Sequence, residues 1–143
     1  ILLGTANNEK PGKRRSMNLI LFPYIFNIIV LVPIALMTLL GGERGGQLAS
    51  QGKFTESEGF RTILGSLWTT ILIGSVIGLF RPVTMSPLLL IQVVYKTLWL
   101  FVFVLPRLLT GRNQEVPWGI SLTFLVIVLS YPWVIPWRLL FGT

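Results

Sequence analysis

The chain has 143 residues, 52% of them hydrophobic and only 12% charged, with a net charge of +7 and a mean hydropathy of +0.74. Soluble domains carry about 25% charged residues, so a water-soluble globule is excluded, and the apolar residues fall in runs of about 20, the length that crosses a bilayer. Cys, His and Asp are all absent, which excludes the usual zinc sites, a thiolate nucleophile, a Ser-His-Asp triad and an imidazole ligand for haem.

Residues 1–17 form a basic N-terminal segment in which Lys10, Lys13, Arg14 and Arg15 cluster beside the first apolar run. In a soluble domain such charge would raise the question of nucleic acid. Here it reads as a juxtamembrane contact with anionic lipid headgroups, and no nucleic-acid partner is expected. The remaining residues, 18–143, are expected to be an all-α membrane domain, a bundle of four transmembrane helices.

The first helix is expected over 18–40, too long for a secretory signal core, with Pro23 and Pro33 as sites where it can bend. From Gly41 to Phe54 glycine and polar residues dominate, which marks a loop. Thr55 and Glu58 have the spacing of a capping box, placing the start of the second helix near Glu56 and its end near Phe80. Ser86 as N-cap and Pro87 as first helical residue open a third helix, 87–105, that meets Pro106, with room for an amphipathic tail to Thr110. A fourth follows Pro117 over 118–140, with Pro132 and Pro136 near its far end and Trp118 and Trp137 as its interfacial anchors. Four crossings put both termini on one side, and the cluster next to the first helix makes that side cytoplasmic.

Two patterns inside the apolar runs are candidates for function. On the second helix Thr62, Ser66, Thr70, Gly74 and Gly78 recur at every fourth residue. Small residues along one helix ridge let another backbone approach closely, which in lipid substitutes for a hydrophobic driving force. The ridge serves either the protein's own bundle or an interface with another subunit. On the third helix, Lys96 is nine residues from Pro87 and nine from Leu105, so its Cα is roughly 13 Å from either end, at the bilayer midplane. A central charge costs about 2.5–3.5 kcal/mol on insertion scales. Gln92 is one turn away and Asn27 of the first helix is at similar depth, so Asn27, Gln92 and Lys96 are expected to form an intramembrane polar cluster.

All five glutamates lie in loops, helix ends or the terminal segment, so no carboxylate of this chain belongs at that depth. Lys96 is therefore satisfied by amides and carbonyls, paired with an anion from another molecule, or used for a ligand. Tyr95, Trp99 and Phe103 share a helix face, read as packing rather than a cofactor box. No metal or resident cofactor is expected, while a bound lipid, quinone or carotenoid needs only a shaped apolar surface and stays open. The expected function is that of a non-catalytic integral subunit that packs against other membrane subunits. The alternative is a small homo-oligomeric transporter or channel using the polar cluster around Lys96.

Overall fold

The computed structural model describes residues 11–142, which are helical with no strand among them. Three helices are long and apolar enough to cross a membrane: Arg14–Leu40, Glu58–Phe80 and Ser86–Leu109. A shorter apolar stretch, Trp118–Trp133, follows them.

Helix α1, Pro11–Leu40, begins seven residues before the apolar run. Proline at a first helical position loses no hydrogen bond, and Lys and Arg are good helix formers, so the basic segment from Pro11 onward extends the helix. Lys10 lies outside the described residues, as does the side chain of Lys13. The helix runs unbroken through Pro23 and Pro33.

The stretch expected to be a loop contains a second helix, α2, Gly42–Ala49. Two glycines at this corner are required by close approach rather than by flexibility. A Cβ on Gly41 or Gly45 would overlap the Met37 carbonyl, so only glycine lets α2 fold back against the end of α1. Gly42 at φ +59° completes the reversal.

Helix α3, Glu58–Phe80, is capped by Ser57, whose Oγ accepts from the Phe60 amide, rather than by Thr55. Beside this cap, Glu56 pairs with Arg61 at 2.8 Å. Arg61 also donates to the Thr38 carbonyl at 3.3 Å, one of the carbonyls left open at the end of α1.

Helix α4, Ser86–Trp99, continues through a π-helical turn, Leu100–Val104, into α5, Leu105–Leu109. Ser86 is the first helical residue rather than the cap, and its hydroxyl donates to the Val83 carbonyl at 2.7 Å. The main helix was expected to end at Leu105, with only a tail beyond Pro106, whose ring would press on the carbonyl four residues earlier. The wide turn opens the backbone there, with the Leu105 amide donating back to Leu100, so the span continues past the proline.

The expected helix over 118–140 divides. Helix α6, Trp118–Ser130, tightens into a 3-10 turn at Tyr131–Trp133, and the short α7, Trp137–Phe141, follows. Pro132 and Pro136 remove the amides that would have continued the ladder. Trp118 and Trp137 are therefore not two ends of one straight helix.

The main seam is α1 against α3. Gly65 accommodates Leu39 and Thr38, and Gly78 lies directly on the Tyr24 ring. Two buried clusters result. One, at the end holding the start of α1 and α7, contains Ile20, Tyr24, Leu89, Ile127, Tyr131 and Ile135. The other, toward α2, contains Leu31, Ala35, Trp68 and Ile71.

Candidate functional site: a buried lysine beneath helix α2

The polar residues of the bilayer core are buried between the two clusters. Asn27, on α1, donates from Nδ2 to the Ser75 hydroxyl of α3 at 3.0 Å. Ser75 in turn donates to its own helix at the Ile71 carbonyl, at 2.8 Å. The Tyr131 hydroxyl is placed by the 3-10 turn after α6. It faces both the Asn27 Oδ1 and, at 3.0 Å, the Pro23 carbonyl. One asparagine thus ties three segments together, and its side chain is 1% exposed. A second tyrosine, Tyr24, donates to the Pro82 carbonyl at 2.6 Å and fastens α1 to the turn between α3 and α4. Buried polar groups in lipid must be satisfied within the protein, and on this side of Asn27 they are.

Lys96 is placed differently. It is 2% exposed, and its ammonium donates to Gln92 Oε1 at 2.6 Å, one turn back on α4. The ammonium lies 4.9 Å from the Tyr95 ring centroid and 5.2 Å from that of Phe124, within cation–π range. An ammonium has three donors, and Gln92 takes one. The described ion pairs lie at the α2 end of the bundle, Arg61 with Glu56 and both Arg107 and Arg112 with Glu115. Lys96 has no carboxylate among the described residues. Gln92 Nε2 and the Tyr95 hydroxyl, both buried, also lack a hydrogen-bond partner.

Lys96 and Asn27 both line a cavity of about 360 Å³. Its walls are mainly apolar, with Leu31, Ile34, Trp68 and Phe124 among them, and Leu48, Ala49 and Gln51 bound it at the α2 end. Gln51 helps to fix that rim: its Oε1 accepts from the Gly119 amide at 2.9 Å, bridging the end of α2 to the start of α6. At the opposite end, Tyr24, Leu89 and Tyr131 fill the interior. A second cavity of about 310 Å³ lies beside it, around Glu56, Arg61 and Trp99, with Trp68 and Ile120 in the wall of both.

The expected cluster of Asn27, Gln92 and Lys96 is thus resolved into two hydrogen-bonded groups. Gln92 bonds Lys96, Asn27 bonds Ser75 and Tyr131, and the two groups meet only across the cavity. The small-residue ridge of α3 is divided as well. Gly78 faces Tyr24 of α1, and Gly74 faces Leu88 of α4, whereas Thr62, Ser66 and Thr70 are exposed. Of the aromatic face, Trp99 stacks on Phe103 at 5.0 Å, and both Tyr95 and Trp99 meet Phe124 edge-on.

Sequence reasoning passed over Ser75, Tyr131 and Trp68. Tyr131 had a signal, being a hydroxyl-bearing ring just before a proline that cannot extend the helix. Trp68 had none, since an apolar run gives no indication of which aromatic residue turns inward.

Outside the membrane-spanning segments, the loop after α5 is held by charge. Arg112 donates to both carboxylate oxygens of Glu115, at 2.8 and 2.7 Å. These hydrogen bonds hold the Glu115 carboxyl below the usual carboxylate range and raise the Arg112 guanidinium above its own. Arg107 adds a contact to Glu115 at 3.3 Å and stacks over the Phe103 ring at 3.6 Å.

The chain matches no protein-family model, and neither a curated protein nor a solved structure matches it.

Proposed function

We propose that this chain is a non-catalytic integral subunit of a larger membrane assembly, a four-helix transmembrane bundle that docks a helix of another membrane protein on the outer face of α3. The observation that carries this reading is the position of Thr62, Ser66 and Thr70, three small residues one turn apart and all exposed on a helix apolar enough to span a bilayer. The Thr62 hydroxyl already donates to Glu58 and that of Thr70 to Ser66, each within its own helix. Satisfied in this way, the row offers a shallow groove with little desolvation penalty, the surface on which another backbone packs closely.

In this reading Trp118–Trp133, 16 residues long and so about 24 Å, is the fourth crossing. Both termini then lie on the cytoplasmic side, where Lys10, Lys13, Arg14 and Arg15 meet anionic lipid. The mechanism is packing, lipid exclusion and stabilisation of neighbours. Extraction into native lipid particles followed by mass measurement tests it. An unlike membrane chain should co-purify with the wild type and be lost from a Ser66→Leu, Thr70→Leu double variant. A particle made only of copies of this chain overturns the reading.

A second reading, a small homo-oligomeric transporter or channel, draws on the cavity that reaches Lys96. It requires the cluster around Tyr24, Leu89 and Tyr131 to open during transport. A homo-oligomer whose solute flux disappears in Lys96→Met, with assembly intact, would favour it.

A further inference from the structure

We infer that the cavity beneath α2 is a binding site for a monoanionic carboxylate with a small apolar body, whose head group is held by Lys96. The proposal goes beyond docking on α3 and stands on different residues. Lys96 is a buried cation on the cavity wall, with one of its three donors taken by Gln92 and no carboxylate beside it among the described residues. A buried cation on a cavity wall calls for an acceptor of opposite charge, because burying an unpaired ammonium is more costly than burying an ion pair.

The rest of the cavity specifies what that acceptor is attached to. Beyond Lys96 and Asn27 the wall is mainly apolar, with Leu31, Ile34, Trp68 and Phe124 against the few polar groups of Tyr95, Thr123 and Gln51, a lining suited to hydrocarbon. A volume of about 360 Å³, at about 30 Å³ for each water-sized group, corresponds to about a dozen non-hydrogen atoms. That is the size of a medium-chain or single-ring carboxylic acid. The carboxylate would accept from Lys96, and the apolar body would extend toward Leu48 and Ala49 at the α2 rim. This class of ligand is supplied by the surrounding membrane and solvent, and no covalent step is involved.

The test is photo-crosslinking of the full chain in phosphatidylcholine nanodiscs, with a decanoic acid analogue carrying a terminal diazirine as the probe. Labelled residues are then mapped by mass spectrometry. Labelling should concentrate on the cavity walls in α1 and α6, be competed by decanoate, and resist decanol, acetate and chloride. Lys96→Met should weaken decanoate competition roughly thirtyfold, as expected for loss of a buried charge partner. Should that variant fail to fold, Val30→Phe decides: it fills the cavity from α1 with Lys96 in place and should reduce labelling by a similar factor. Labelling on the lipid-facing surface alone, equal competition by decanol, or equal competition by acetate or chloride overturns the proposal. So does unchanged labelling in a folded Lys96→Met or Val30→Phe variant.

Discussion

The two halves of the bundle are built from the same helices but differ in how they treat polar atoms. In the half that holds the start of α1 and α7, Tyr24, Tyr131, Asn27 and Ser75 each place their side-chain polar atoms on a partner, and Gly78 removes the one side chain that would hold α3 away from the Tyr24 ring. In the half beneath α2, two cavities flank Trp68, and Lys96 and Gln92 satisfy only part of each other. Close packing and complete hydrogen bonding are the ordinary condition of a protein interior. The first half is therefore organised for stability, and the second departs from that condition where a ligand could restore it. Sites optimised for binding often sit at the expense of stability, which makes the contrast measurable.

The largest effect is expected at the tight contact of the first half. Gly78→Leu forces a side chain into the buried Tyr24 ring and should lower the unfolding free energy by about 3 kcal/mol, measured by denaturant titration in mixed micelles. An effect within error would mean that the α1–α3 seam is not close-packed at this point.

Next comes a change of opposite sign in the second half. Lys96→Met removes a buried, incompletely paired cation and should raise stability by about 2 kcal/mol in the absence of ligand. The same titration checks it, and a loss of similar size would show that Lys96 is a structural residue and that the two halves do not differ.

A smaller loss, about 1 kcal/mol, is expected for Asn27→Leu. Its partners retain other bonds, Tyr131 to the Pro23 carbonyl and Ser75 to the Ile71 carbonyl. A loss several times larger would indicate that the network acts as a unit.

The smallest effect lies outside both halves. Arg112→Ala should move the Glu115 carboxyl back up toward its ordinary range, followed by NMR as a function of pH. Because the folded state holds this carboxyl below its unfolded value, any stabilisation is present above the unfolded value and is lost as pH falls through the depressed one. The pair is exposed, so global unfolding at neutral pH should not change measurably. A change there would mean that the loop anchors α5 to α6.

Particular residues explain why some of this was legible in the sequence. Lys96 was identifiable as a midplane charge because the helix rise converts residue number into depth, and its bond to Gln92 followed from their four-residue spacing. The start of α6 after Pro117 was read from local chemistry. Helix α2 was missed because five glycines in Gly41–Gly52 ordinarily mark a loop, and only the proximity of the Met37 carbonyl shows why Gly41 and Gly45 stand at a helix turn. The π turn before Pro106 and the break at Tyr131 were also missed. Local rules state that a proline is awkward, but not whether the backbone widens around it or stops.

The sequence by itself determined the solvent of this protein, the approximate spans, the lack of Cys and His ligands or of a Ser-His-Asp triad, and the isolation of one cation in the apolar core. Those properties depend on composition and on distance along a single helix, both of which are local. Tertiary structure decided which residues face one another: that Asn27 bonds Ser75 and Tyr131 rather than Lys96, that Gly74 and Gly78 turn inward while Thr62, Ser66 and Thr70 remain outside, and that a cavity separates the two polar groups. Helix rotation and the fold-back of α2 set these relations. In a chain apolar on nearly every side, periodicity carries little information about rotation, so contact between helices is what decides it.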